Sequence, residues 1–315
     1  MRGRRIGTRG SPLALWQAKQ VASEIQKLGA PSPELITIST SGDRLTTSSW
    51  PITNGKRLFV KEIEEALLAN EIDLAVHSAK DLPAQLPDGL RINAVLPRED
   101  PRDALVFSTT VETTIGNSAA IFSGNTINGK IGTSSVRRTA QLIHAFPELT
   151  ILPIRGNVGT RLRKLDEGMF DAVVLAAAGL VRLGMTHRIN TRLPTSMCVP
   201  APGQGILAVE TRVDDQATHE LLKSLEDPAC AQRFDAERAL VRSLGADCGV
   251  ALGAISNISG TEISLLTTVG APDGSRLIRH KETGALENAA AVGRCAAEAL
   301  LSKGAEELLA LTNKS

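Results

Sequence analysis

Three kinds of residue in this chain could do chemistry, and they stand far apart in the sequence. The first is a thiol, Cys248, in the run Leu244-Gly245-Ala246-Asp247-Cys248-Gly249-Val250. A Gly-Ala-Asp turn just past a helix presents a side chain rather than burying it, and an exposed thiol is a liability unless something uses it. Cys198, Cys230 and Cys295 sit in apolar or helical surroundings and read as packing. The second is Asp81, beside Lys80 in His77-Ser78-Ala79-Lys80-Asp81. Two readings of it stay open: a salt-bridged or capping aspartate at a strand end, or a carboxylate that stabilises a cationic intermediate and relays protons. The third kind is a set of cations at loop ends: Arg9, Lys56, Arg137, Arg138, Arg155, Arg161 and Arg182. Any one could be an ordinary surface charge. Arg137 and Arg138, however, open a helix, where the dipole disfavours cations, so they call for an anion. Guanidinium forks match carboxylates and phosphates, which points to a multiply charged anionic ligand.

The elements that must position these residues follow one grammar. Arg5 to Arg9 reads as a strand, and a helix then runs from the N-cap Ser11 and Pro12 to a stop at Gly29. Strand, tight turn and helix N-terminus together favour an anion near Arg9 and Ser11. The pattern recurs in a strand at 35–39, a helix at 59–69 and an apolar strand at 72–77 that ends before Lys80 and Asp81. Gly132-Thr133-Ser134-Ser135 precedes a helix at 136–146. A strand at 149–154 ends at Arg155-Gly156-Asn157 before a helix that closes near Gly168. The nearly all-apolar run 172–177 suits a parallel sheet covered on both faces. Such alternation predicts an α/β fold whose ligands bind beyond the carboxyl ends of strands. After about residue 225 the pattern changes. A helix at 232–244 leads to Cys248, runs at 267–271 and 276–279 flank the turn Pro272-Asp273-Gly274-Ser275, and a helix spans 287–301. That predicts a small α+β unit with an antiparallel sheet. The polar stretch Ser41–Ser49, running on to Asn54-Gly55-Lys56, reads either as a disordered excursion or as a lid.

The bulk composition narrows the function classes. At 315 residues, two or three domains are expected. Net charge is only +1, so a general nucleic-acid footprint is absent and anion binding must come from local clustering. No apolar run is long enough for a membrane span. The basic N-terminus lacks the apolar segment of a signal peptide, and the cysteines lack paired spacing, so the cytoplasm is expected. The five histidines have no metal-ligand spacing, and no metal is assigned.

The ordered motifs together resemble the porphobilinogen deaminase (hydroxymethylbilane synthase) family, almost end to end. They are Gly7-Thr8-Arg9 with Ser11-Pro12-Leu13-Ala14, Gly55-Lys56 with Leu58-Phe59-Val60-Lys61-Glu62, and His77-Ser78-Ala79-Lys80-Asp81. Arg98 to Ala104, Gly132 to Arg138, Arg155 to Leu162 and Pro202-Gly203-Gln204-Gly205 complete the set. The resemblance implies a dipyrromethane cofactor, one per chain, held through a thioether to Cys248. Four porphobilinogens would be added to this primer with loss of ammonia, through an azafulvene-like cation, and hydrolysis would release hydroxymethylbilane for tetrapyrrole synthesis. Asp81 would be the catalytic carboxylate. Lys80, Asp81, Thr133, Ser134, Ser135, Arg137, Arg138, Arg155 and Gly156 would bind the cofactor. Arg9, Ser11, Gln17, Lys56, Phe59, Arg155, Arg161, Arg182 and Gln204 would bind substrate. The chain departs from the family pattern at Asp247, which could raise the thiol pKa, at Ala251, and at Ser41, where many members have arginine.

The implied fold is two doubly wound α/β domains related to type-II periplasmic binding proteins, residues 1–100 with 205–223 and residues 101–204. A third, residues 224–315, carries the cysteine. A monomer working on a small molecule, without nucleic acid or membrane, is expected. The competing reading is a non-catalytic two-lobed anion-binding protein, which would need no thiol on a third domain and would show no covalent mass on a cysteine.

Overall fold

Ser11 starts the first helix as its sequence predicts. The Ala14 N–H donates to Ser11 Oγ at 3.3 Å, Pro12 takes the first turn, and α1 (Pro12–Lys27) buries Ala14, Gln17, Ala18, Val21 and Ile25. The computed structural model describes residues 3–44, 59–108, 129–246 and 249–312. Lys56, Asp247 and Cys248, and most of the stretch read as an excursion or lid, lie outside the described residues.

Helix α1 lies against a five-stranded mixed sheet of order β2-β1-β3-β10-β4. Strands β1 (Arg5–Thr8), β2 (Glu34–Thr37) and β3 (Leu74–Ser78) are parallel. β10 (Leu207–Arg212) returns late in the chain and inserts antiparallel between β3 and β4 (Leu90–Val95). The short α2 (Ser41–Arg44) and α3 (Lys61–Leu68) follow β2; α3 buries Ile63, Ala66 and Leu67.

A second five-stranded sheet has the order β7-β6-β8-β5-β9. Strand β6 (Lys130–Gly132) is parallel to β7 (Thr150–Leu152) and β8 (Ala172–Ala176). β5 (Asp103–Phe107) runs antiparallel to β8 and to β9 (Thr191–Arg192). The apolar run at 172–177 is thus buried as expected, but one of its two neighbours is antiparallel. The cause is topological: β5 and β10 each enter a sheet from the other lobe. Helices α4 (Val136–Ala145), α5 (Val158–Asp166) and α6 (Ala177–Arg182) cover this sheet.

The two connecting segments run side by side, tied by Leu96 N–H to Leu207 O and Glu99 N–H to Gly205 O, each at 3.0 Å. Gly205 sits at φ +88° with its missing Cβ only 2.3 Å from Glu99 O, so no side chain fits there.

After α7 (Gln216–Leu222) come α8 (Pro228–Leu244) and the antiparallel β11 (Leu252–Ser259), β12 (Glu262–Gly270) and β13 (Leu277–Ala285). α9 (Ala289–Ser302) and α10 (Ala305–Thr312) complete the third unit. α8 begins earlier than its apolar pattern predicts, because Asp227 accepts from Cys230 N–H at 2.6 Å and Pro228 takes the first position. The turn at 272–275 forms between β12 and β13, with Gly274 at φ +74°. Among the described cysteines, Cys198 and Cys230 are buried and Cys295 is exposed.

Candidate active site

Four strand ends deliver the predicted residues. Arg9 and Ser11 follow β1, Lys80 and Asp81 follow β3, Thr133 to Arg138 follow β6, and Arg155 and Gly156 follow β7. All four are carboxyl ends of parallel strands, the edge of an α/β sheet where ligands bind. Lys80 and Asp81 lie on a single 3-10 turn, Ala79–Asp81, whose Ala79 N–H donates to Ile206 O at 3.0 Å.

Arg137 and Arg138 are almost fully buried, at 4% and 5% exposure, and the anion they call for is supplied first by the chain itself. Asp103, fully buried at the start of β5, accepts from Arg137 Nη1 at 2.7 Å and from Arg138 Nε and Nη2 at 2.9 and 2.7 Å. Gln204 Nε2 donates to the same carboxylate at 2.9 Å and Cys198 Sγ at 3.3 Å. Burial opposes ionisation of Asp103, yet Arg137 and Arg138 override it and hold its carboxyl well below the usual carboxylate range. Burial, with Asp103 alongside, pushes the Cys198 thiol up to about 12, so it is a packed donor and not a nucleophile. Arg137 also donates to Val199 O and Arg138 to Val174 O, at 2.7 and 2.9 Å. One carboxylate between two guanidiniums leaves one positive charge uncompensated.

Around this pair the cations crowd. Burial pushes the Lys80 ammonium down to about 8; Asp81 and Asp103 raise it and Arg138 and Arg137 lower it further. Lys80 Nζ also donates to Gln204 Oε1 at 3.5 Å. Burial, then repulsion from Arg138 and Arg155, lowers Arg161 to about 10, and only Asp81 acts the other way. Asp81 therefore lies in the field of both Lys80 and Arg161; among the described residues it caps no helix and closes no ion pair.

The remaining predicted residues divide by what occupies them. Ser11 and Ser135 are N-caps, Ser134 Oγ donates to Ile154 O at 2.8 Å, and Thr133 Oγ1 accepts from Ser135 N–H at 3.2 Å. These hydroxyls shape the turns. Gly156, at φ +113°, leaves room for Thr160, whose methyl would lie 2.6 Å from a Cβ there. Gln17, 3% exposed, donates to Ser78 Oγ at 2.8 Å and braces the strand end before Lys80. Gln204, 1% exposed, is a structural link, its amide also donating to Pro101 O at 2.7 Å. Arg182 donates to Gly205 O at 2.6 Å and lies 5.9 Å from the Trp16 ring, and burial lowers its pKa to about 10. Arg9 pairs with Asp43 and stacks 4.2 Å over Phe59.

Asp103 is the residue that the sequence reading missed. Its signal was present: a carboxylate opening the apolar strand Ala104 to Phe107 must be buried, and a buried charge needs partners.

Comparison with known proteins gives this geometry a family. A profile described as "Porphobilinogen deaminase, dipyromethane cofactor binding domain" matches residues 4–220, and one described as "Porphobilinogen deaminase, C-terminal domain" matches 231–302. The chain is 44% identical over 306 residues to the porphobilinogen deaminase of Pelobacter propionicus, covering 97% of this chain and 96% of that one. Among solved structures, a putative methionine-binding lipoprotein of Bacillus subtilis aligns at 10% identity and TM-score 0.42, over 71% of this chain and 89% of that one. Immunogenic lipoprotein A from Vibrio vulnificus aligns at 13% identity and TM-score 0.41, over 72% and 96%. Neither bears on what this chain binds. The near-full-length match and the two profiles agree with the residues at the strand ends, and the chain belongs to the porphobilinogen deaminase family.

Proposed function

We propose that this protein is a hydroxymethylbilane synthase, joining four porphobilinogens head to tail on a dipyrromethane primer attached to Cys248. The observation that supports it most is the cation cluster of Lys80, Arg138, Arg155 and Arg161. Burial and then repulsion from Arg138 and Arg137 lower the Lys80 ammonium, against Asp81 and Asp103. Burial and then repulsion from Arg138 and Arg155 lower the Arg161 guanidinium, so these cations stand close enough to repel. A ligand with several carboxylates, as dipyrromethane and porphobilinogen both are, relieves that repulsion.

The donor set fits the cofactor. Lys80, Arg137, Arg138 and Arg155 would hold its carboxylates, and Ser134 and Ser135 would keep the turn beneath them in shape. When bound, the dipyrromethane supplies the free pyrrole carbon from which the product grows. Asp81 stabilises positive charge at the reacting pyrrole nitrogens and takes up the proton lost when each new carbon–carbon bond forms. Lys80, with a pKa of about 8, stays protonated at neutral pH beside the Asp81 carboxyl. Arg161, Arg182 and Arg9 would take the acetate and propionate groups of incoming units, and Lys56 and Phe59 would border them. Gln204 and Gln17 act through other residues: one fixes Asp103, the other the strand end at Ser78.

In this reading the chain divides into residues 1–100 with 205–223, residues 101–204, and residues 224–315, with the cysteine on the third. It works as a cytoplasmic monomer. Balanced charge and unpaired described cysteines support that placement; no helix among the described residues is long and apolar enough to cross a membrane. The test is direct: purified protein incubated with porphobilinogen should release ammonia and hydroxymethylbilane in a four-to-one ratio. A protein that binds porphobilinogen without releasing ammonia would be a binding protein instead.

A further inference from the structure

Helix α8 reaches the active-site lobe through two adjacent side chains. Glu237, fully buried, accepts from Arg98 Nη1 and from Gly203 N–H, each at 2.6 Å, and so holds the turn that carries Gln204. Arg238, 4% exposed, does something different. Its guanidinium donates to three successive carbonyl oxygens, Leu82 at 3.5 Å, Pro83 at 2.5 Å and Ala84 at 3.1 Å. That segment leaves the Lys80–Asp81 turn directly, since Leu82 N–H donates back to Ala79 O at 3.3 Å. The two turns also touch, because a Cβ on Gly203 would lie 3.0 Å from Ala79. From Arg238 the helix continues to Leu244, closes at Gly245 in the left-handed conformation, and leads within three residues to Cys248.

One helix therefore fixes two things at once: where the chain that leads to Cys248 leaves Gly245, and where the backbone after Asp81 lies. We infer that Arg238 is a positioning residue for the reaction, setting the Lys80–Asp81 turn against the attachment point through the carbonyls of Leu82, Pro83 and Ala84. This rests on the functional reading above. The chemistry explains the residue type. A planar fork with five N–H donors spans three consecutive carbonyls, whereas a lysine ammonium holds one or two as a point charge on a flexible stem. Misplacing a catalytic group by about 1 Å costs up to about a hundredfold in rate, so loosening this clamp should reach Asp81 without any contact between Arg238 and substrate.

Arg238→Lys keeps the charge and removes the fork. A matched control exists: Arg279 on β13 also donates to consecutive carbonyls of a distant segment, Ser196 O and Met197 O, and to none of residues 79–86. Both lysine variants are purified with their cofactor, checked for primer by intact mass, and assayed per primed enzyme. Arg238→Lys should lose about 10- to 100-fold in kcat with KM within about twofold. Hydrogen exchange in residues 79–86 should quicken, while Arg279→Lys keeps wild-type kcat and wild-type exchange there. Arg238→Met should lose at least as much, with lysine a partial rescue. Wild-type kcat and exchange in Arg238→Lys would overturn the inference, as would equal kcat losses in the two lysine variants. Should the wild type release no ammonia from porphobilinogen, the functional reading fails, and the exchange comparison by itself still decides whether Arg238 holds the turn.

Discussion

Replacing Asp103 with asparagine would remove the charge on which the arginine pair is assembled. The wild-type carboxylate is fully buried and receives two guanidiniums, one amide and one thiol. Asparagine keeps the shape, but one of its two acceptor positions becomes an N–H₂ facing a guanidinium donor. Breaking a buried pair in this way costs about 3–5 kcal/mol. For a protein of this size that is about 6–20 °C in Tm, at 2–4 °C per kcal/mol. The pH dependence gives a second check. Because the folded pKa of Asp103 is held below the ordinary carboxylate value, its contribution is complete above the unfolded pKa of about 4. It is lost only as pH falls below that, toward the folded value. Thermal unfolding of wild type and Asp103→Asn at pH 7 should show the full gap, and the gap should narrow only below about pH 4. The variant should also accumulate with less primer, since Arg137 and Arg138 lose their fixed orientation. A difference under about 1 kcal/mol at pH 7, with normal primer occupancy, would refute this account of the pair.

Asp81→Asn should fold and carry primer yet elongate about 10²–10³-fold more slowly, which single-turnover assays on primed protein would detect. The Lys80 ammonium, lowered to about 8 by burial, predicts that apoprotein affinity for a polycarboxylate such as citrate weakens about tenfold as pH rises through that value. Lys80→Gln should give a flat profile over the same range in calorimetric titrations. Arg137→Leu and Arg138→Leu should reduce primer occupancy, whereas Arg161→Leu and Arg9→Leu should keep the primer and trap partly extended chains. Native mass spectra of the four variants separate the two groups.

Much of this was legible in the sequence because the turns are local. Ser11, Ser135, Asn157 and Asp227 cap helices within a few residues of themselves, so spacing alone located α1, α4 and α5. The cations at strand ends were equally visible, since a strand-to-helix handover fixes where its last residues point. What spacing could not reveal were contacts between distant segments. Asp103 meets Arg137 and Arg138 across 34 and 35 residues, Gln204 meets Asp103 across 101, and Arg238 meets Pro83 across 155. The bracing of Asp103 and Pro101 O by Gln204 was hidden in the same way. The antiparallel placement of β5 and β10 was hidden for the same reason, because an apolar run reads alike beside either kind of neighbour.

The central claim is that Cys248 carries a covalent primer that porphobilinogen extends. Denaturing mass spectrometry of the purified protein, with and without porphobilinogen, tests it most directly. The account predicts one dipyrromethane of added mass, located by peptide mapping to Cys248, absent from Cys248→Ser, and followed by stepwise single-pyrrole increments when substrate is added. Unmodified chain mass in active protein, or the same adduct retained in Cys248→Ser, would contradict it.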